Sequence, residues 1–153
     1  MQSNGDLTKE ELAKQTELSV EQITEQINKW KQEGVIQGRQ WIINNDKNPN
    51  RRIKALIEVK IKPEAGGGYD RLANRIARFD QVISCSLYSG SYDLLLEVEV
   101  DDSLQVATFV FDTLSKIDGV ISTQTHFTLK AYKMNGINFM DDEDGDERLP
   151  VTP

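Results

Sequence analysis

Residues 89–100 read Ser-Gly-Ser-Tyr-Asp-Leu-Leu-Leu-Glu-Val-Glu-Val. Ser89, Gly90 and Ser91 are turn formers. From Tyr92 onward, Leu94, Leu96, Val98 and Val100 alternate with Asp93, Glu97 and Glu99, the period of two that marks a strand with one buried face. Val82 to Tyr88 on the other side of the turn reads as a second strand. Further upstream, Ala55, Ile57, Val59 and Ile61 alternate with Leu56, Glu58 and Lys60, another half-buried strand, which Pro63 to Gly68 break. Tyr69, Leu72, Ala73, Ile76 and Phe79 then fall at helical spacing. Downstream, Asp101 and Asp102 lead into a helix that should turn Val106, Ala107, Val110, Phe111 and Leu114 inward. Gly119 ends that connection, and Val120 to Tyr132 makes a last strand. The order strand, helix, strand, strand, helix, strand is the split βαβ or ferredoxin-like arrangement. Both helices should cover one face of an antiparallel sheet and leave the other open. Leu56, Leu95 and Leu129 fall out of phase with the inward sets, so the open face is partly apolar and is a predicted contact surface.

The segment before this domain is helical. Thr8 and Glu11 form a Thr-x-x-Glu capping box that starts one helix, and Ser19 with Gln22 starts another. In the second, Val20, Ile23, Ile27 and Trp30 share a face, and Gly34 stops the helix. Val35-Ile36 and Trp41-Ile-Ile43 read as two short strands around Gln37-Gly-Arg-Gln40, the shape of a wing. Asn44-Asn-Asp-Lys-Asn-Pro-Asn50 is dense in turn formers. The chain therefore divides into a head at 1–50, an α+β domain at 51–138 and an acidic tail at 139–153.

Composition narrows the function classes. The 153 residues carry 38% hydrophobic and 28% charged side chains, as a globular protein does. No apolar run is long enough to span a bilayer, and the first residues lack the features of a secretory signal. Cys85 is the single cysteine, so no intrachain disulfide or cysteine zinc site is expected. These features point to the cytoplasm. The net charge of −7 is unevenly placed: 1–52 holds eight basic and eight acidic side chains, so the rest carries the whole excess. Six acids between Asp141 and Glu147 contribute much of it. Net charge therefore does not argue against a DNA-binding head.

Glu11-Leu-Ala followed by Leu18-Ser19, Gly34-Val-Ile36, Ser89-Gly-Ser-Tyr-Asp93 and Gly119-Val-Ile-Ser-Thr-Gln-Thr125 occur in an order and spacing that resemble the leucine-responsive/AsnC family of transcription regulators. The resemblance runs to about Asn138. It implies a winged helix-turn-helix that reads the major groove, and a domain that dimerises through its sheet. It further implies dimers that assemble into octamers, and amino-acid effectors bound between subunits. Carried over residue by residue, the effector site would use Gly90, Tyr92, Asp93, Val120, Thr123 and Thr125. Asp93 can receive an α-ammonium through a charge-assisted bond, and the threonine hydroxyls can bond a carboxylate or ammonium.

The chain departs from the family pattern in two places. The resemblance implies a helix ahead of the Glu-Leu-Ala helix, and only Met1 to Asp6 precede Leu7-Thr8 here, so the head is expected to lack it. The recognition helix carries Glu25-Gln26 where a basic pair is usual. Ser19, Gln22, Thr24, Gln26 and Asn28 remain to approach bases, with Lys29, Arg39, Arg51 and Arg52 for phosphates. The expected partners are double-stranded DNA, an amino acid or similar small effector, and further copies of the chain; no membrane, metal or cofactor is called for.

Blander readings stand beside these. The head could be a protein-interaction module that kept the fold without DNA, leaving an amino-acid-sensing assembly module. Ser89 to Asp93 could be an ordinary hairpin whose Asp93 caps backbone. His126 reads as structural, and Cys85 as a small buried hydrophobe. Gly66-Gly-Gly68 reads as a turn, because it lacks the lysine and serine spacing of a phosphate loop. The acidic tail reads as a solvated extension or as a competitor of DNA for the head's basic groups. No nucleophile–base constellation for an enzyme stands out; a ferredoxin-like enzyme would have to use Asp93 or His126.

Overall fold

The structure is a computed structural model and describes residues 7–63 and 68–139. The acidic residues 141–147, the Gly66-Gly67 pair and the segment before Leu7 lie outside them. The described residues divide into two compact units, one within Asn44–Tyr132 and the other formed by residues 7–43 together with 133–139.

In the α+β unit, β1 (Ile53–Ile61), α3 (Asp70–Ile76), β2 (Val82–Leu87), β3 (Leu94–Val100), α4 (Ser103–Thr108) and β4 (Val120–Phe127) follow in the expected order. The sheet runs β2-β3-β1-β4, and all three pairings are antiparallel. Alternation sorts its residues as the sequence predicts. Ala55, Ile57, Val59 and Ile61 of β1 and Leu94, Leu96, Val98 and Val100 of β3 are all buried. Leu72 and Ile76 from α3, and Val106, Phe109, Val110 and Leu114 from the second helical segment, complete one core over that face. Phe79 meets Phe109 edge-on at 5.5 Å between ring centroids, a favoured aromatic geometry.

Phe111 does not turn inward as expected; it is 71% exposed, and Phe109 takes the core position. In an α-helix Phe111 stands about 140° around from Val106, whereas Phe109 stands about 60° away. The helix also widens into a π turn over Phe109–Thr113 and tightens to a 3₁₀ turn at Leu114–Lys116, which returns Leu114 to the core. The last strand stops at Phe127 rather than Tyr132. Leu129 therefore lies beyond the sheet and is 84% exposed. The open face is made instead by Lys54, Leu56, Glu58 and Lys60 with Leu95, Glu97 and Glu99, flanked by Ser122, Gln124 and His126. Lys54 lies between Glu97 at 3.8 Å and Glu99 at 3.9 Å.

The helical unit begins with α1 (Lys9–Thr16) and α2 (Val20–Gln32). Both capping boxes form: Thr8 accepts from the Glu11 amide while Glu11 accepts from that of Thr8, and Ser19 and Gln22 do the same. These bonds satisfy donors that a helix start otherwise leaves orphaned. Gly34 adopts φ +72°, so its amide reaches Lys31 O and that of Val35 reaches Trp30 O at 2.8 Å, a Schellman-type ending.

The expected wing strands are absent: no ladder forms over 35–44. Val35, Trp41 and Ile43 are 67%, 78% and 58% exposed. An isolated two-stranded ribbon with an uncovered apolar side is marginal in water. A hairpin does form elsewhere, at β5 (Lys133–Met134) and β6 (Ile137–Asn138). Asn135 and Gly136 both take positive φ there, as a two-residue turn of the primed type requires.

Candidate functional site

Two surfaces were nominated by sequence, one in each unit. On the helical unit, Ser19 and Gln22 are occupied by capping: Ser19 Oγ accepts the Gln22 amide at 3.2 Å, and Gln22 Oε1 accepts the Ser19 amide at 2.9 Å. Thr24, Asn28 and Lys29 come together along one shallow groove with Val20, Glu21, Glu25 and Gln32. Gln26 lies about 200° around from Thr24 and is half-buried, so it does not join them. The groove face thus combines amide and hydroxyl donors and one ammonium with two carboxylates. Bonds from its own amide and from Ser19 hold the Glu21 carboxyl below the usual carboxylate range, so it carries its charge at neutral pH. Next to phosphates that charge is repulsive.

The remaining nominated cations are placed elsewhere. Arg39 lies on the irregular 35–44 segment. Arg51 and Arg52 belong to the α+β unit. Arg51 pairs with Asp46 at 3.6 Å. Arg52 Nε donates to Asp101 Oδ1 at 3.2 Å, and Arg52 Nη2 donates to Glu99 O at 3.3 Å. Sequence alone could not show that the Arg52 guanidinium is engaged by a carboxylate 49 residues away.

In the α+β unit, Asp93 stands where β3 begins and is bonded on both sides. Its amide donates to Val59 O at 3.1 Å and its carbonyl accepts from Tyr88 at 2.8 Å. Its carboxylate Oδ2 accepts the Ile61 amide at 2.8 Å. The Lys62 amide donates to Gly119 O on the β4 side, so by alternation the Ile61 amide faces β3. There β3 begins only at Leu94, and the carboxylate does the work of a missing strand partner. One carboxylate oxygen thus stitches β3 to β1, while a carboxylate can accept several further donors. Tyr92 packs beside Tyr88 across the turn, ring centroids 5.9 Å apart. A Cβ added at Gly90 would meet open space, so this side of the turn is approachable.

Val120, Thr123 and Thr125 line β4 opposite Ile61, Val59 and Ile57. They face the helical side of the sheet, whereas Asp93, next to buried Leu94, has the opposite parity. Val120 shares the end of the sheet with Asp93. Thr125 stands two strands across and about three residues along, on the order of 14 Å away by strand spacing and rise. One small amino acid cannot touch all six nominated residues of a single chain. Two features at this end were missed by sequence: the Ile61 amide, and Gly119, whose φ is +95° and whose absent Cβ would come within 3.1 Å of Leu72. The glycine was legible as a connection end; its packing role was not.

His126 Nε2 lies 3.2 Å from Glu58 Oε1 across the open face. Cys85 is half-buried, with burial pushing its thiol pKa up, which favours the unreactive thiol. Among the described residues, no three His, Cys, Asp or Glu side chains could hold a metal ion together, and no helix is long and apolar enough to cross a membrane.

Residues 54–137 match the family model described as the Lrp/AsnC ligand binding domain. Over 152 residues the chain is 40% identical to YugG, an HTH-type transcriptional regulator of Bacillus subtilis strain 168, covering 99% of this chain and 90% of the relative. It is 23% identical over 135 residues to the leucine-responsive regulatory protein of Escherichia coli K12, covering 88% and 82% of the two. Among solved structures, a transcriptional regulator of Neisseria meningitidis in complex with L-Met is 27% identical, with a TM-score of 0.64 over 87% of this chain and 85% of that one. Escherichia coli AsnC shares the fold at 23% identity, with a TM-score of 0.64 over 88% of both chains.

Proposed function

The chain belongs to the Lrp/AsnC family of transcription regulators, and on that premise we propose that it binds double-stranded DNA through its helical unit while its α+β unit assembles subunits and senses an amino acid in the cytoplasm. The observation that carries the reading is the match to the ligand-binding family model over the whole α+β sheet, in a chain that is 40% identical, almost end to end, to an HTH-type regulator.

The reading assigns α1 and α2 to a helix-turn-helix in which Thr24, Asn28 and Lys29 approach DNA. Glu21 and Glu25 lower the affinity of each head, so oligomer avidity has to supply much of the binding. Assembly uses the open face around Leu56 and Leu95, giving a dimer at least and an octamer if dimers associate further. The effector contacts Asp93 through its ammonium, using the oxygen that the Ile61 amide leaves unengaged. Because Asp93 and Thr125 lie too far apart in one chain, the rest of the effector's contacts come from a second copy. An effector that prefers one arrangement of subunits can then shift DNA binding.

Selection of binding sites from a random duplex pool, at low salt and near physiological salt, tests the DNA claim. The expected result is enrichment of a short palindrome whose half-site spacing reports the distance between heads. The carboxylates on the α2 groove face favour a second reading, an amino-acid-sensing oligomeric module with little DNA binding of its own. That reading would be adopted if nothing enriches at either salt.

A further inference from the structure

The nine residues 44–52 read as a linker in sequence, yet they are closed by their own side chains. Asn44 Oδ1 accepts the Asp46 amide at 3.0 Å, and Asn48 Oδ1 accepts the Asn50 amide at 3.0 Å. The amides of Lys47 and Asn48 donate to the carbonyls of Asn44 and Asn45. Asn45 then spans the loop: its Nδ2 donates to Arg52 O at 2.8 Å and its Oδ1 accepts the Arg52 amide at 3.3 Å. A primary amide paired this way with a peptide mimics one rung of an antiparallel ladder. Arg51 and Asp46 add an ion pair across the same loop.

The closed loop is also fastened to a distant part of the unit. Arg52 presents its guanidinium to the Asp101 carboxylate and the Glu99 carbonyl. Asp101 immediately precedes Asp102, the N-cap of α4, whose side chain accepts from the Gln105 amide at 2.9 Å. The amide of Asp101 in turn donates to Gln105 Oε1 at 3.4 Å. One chain of polar contacts thus runs from the first turn of α4, through Asp101 and Arg52, to Asn45.

We propose that Asn45 and Arg52 form a latch that turns residues 44–52 from a flexible segment into a stiff adaptor within the α+β unit, so that order at the start of α4 extends to Asn44, the first residue of that unit. Arg52 is then a positioning residue of the adaptor and not a phosphate ligand. The inference rests on the geometry within the α+β unit and stands whether or not the chain binds DNA. A flexible segment would let residues 44–52 sample many conformations; the latch holds them in one closed form fastened beside the start of α4.

The test is amide hydrogen exchange on the full chain without ligand or DNA, read at Asp46, Lys47, Asn48, Asn50 and Arg52. The variants are wild type, Asp101→Asn, Arg52→Gln and Asn45→Ala. Asp101→Asn removes only the remote partner and leaves the Asp102 cap intact. It should speed exchange at the loop amides about three-fold, the scale of one partly exposed ion pair. Arg52→Gln, which also gives up the Glu99 carbonyl, should speed it about five-fold. Asn45→Ala should raise it further and also quicken exchange at the Gln105 amide. Exchange across β1 and β3 should be unchanged in all three. Loop amides that exchange at the wild-type rate in Asp101→Asn, or a Gln105 amide indifferent to Asn45→Ala, would overturn the proposal. If exchange rises equally in the central strands, the effect is general destabilisation and the latch is likewise rejected.

Discussion

The α+β unit and the helical unit solve the same problem with different means. Among the described residues, the first buries fifteen hydrophobic side chains in one cluster, whereas the helical unit buries Leu12 and Ile23. Burial of apolar surface is the main favourable term in folding, so the sheet unit carries its own stability. The helical unit relies more on local devices: two capping boxes, a glycine-terminated helix and little packing. A surface meant to engage something else is drawn from the less stable parts of a molecule. The difference is consistent with the proposed division between a sensing and assembly unit and a DNA-binding head.

The largest test of this contrast uses one core residue from each unit. Ile57→Ala in the central strand should cost about 2–5 kcal/mol and lower the main unfolding transition seen by far-UV circular dichroism. Both tryptophans, Trp30 and Trp41, lie in the helical unit, so their fluorescence reports that unit. Ile23→Ala should shift the tryptophan signal alone. Joint movement of both signals in both variants would mean that the units unfold as one, and the comparison would fail.

Asp93 gives a test of intermediate size, because it is assigned both structural and binding work. Asp93→Ala leaves the Ile61 amide without its acceptor and should destabilise the α+β unit by about 1–3 kcal/mol. Asp93→Asn keeps an acceptor, so it should stay within about 1 kcal/mol of wild type; if the proposed effector site is right, it should lose most calorimetric binding when titrated with L-methionine or L-leucine as probes. If Asp93→Asn binds these amino acids as wild type does, the carboxylate is purely structural and the effector sits elsewhere.

The smallest effects belong to the helix starts. Ser19→Ala should cost about 1 kcal/mol, visible in tryptophan fluorescence and not in the sheet transition. Bonds from the backbone and side chain of Thr8 hold the Glu11 carboxyl below its ordinary range. A depressed folded pKa adds stability above the unfolded pKa and loses it as pH falls through the folded value. Acidification below the normal carboxylate range should therefore quicken exchange of the Thr8 amide before the β1 amides respond. Simultaneous change at both would show that the caps are not separately sensitive.

Periodicity and caps made much of this legible in advance. The alternation of 55–61 and 94–100 placed every buried residue of the two central strands, because a period of two leaves one choice of face once a core exists. Thr8-x-x-Glu11 and Ser19-x-x-Gln22 gave both helix starts, since capping is local chemistry. Asn135-Gly136, which carries the primed turn, was equally local and went unread.

What sequence could not give were the outcomes that depend on neighbours far along the chain. Whether 35–44 forms strands depends on whether anything covers Trp41 and Val35, and nothing local decides that. The exposure of Phe111 follows from α-helical angles counted from Val106; the π and 3₁₀ turns that follow are what the sequence pattern did not show. Asp93 could be read as a ligand for an ammonium, but only the pairing of β3 with β1 shows that one of its oxygens serves Ile61. In sequence Arg52 reads as a phosphate contact, and only the folded chain shows that it also meets Asp101 and the Glu99 carbonyl. Local propensity and periodicity are properties of a few adjacent residues and are written in the sequence; pairing of charges and backbone donors across strands exists only once the chain has brought them together.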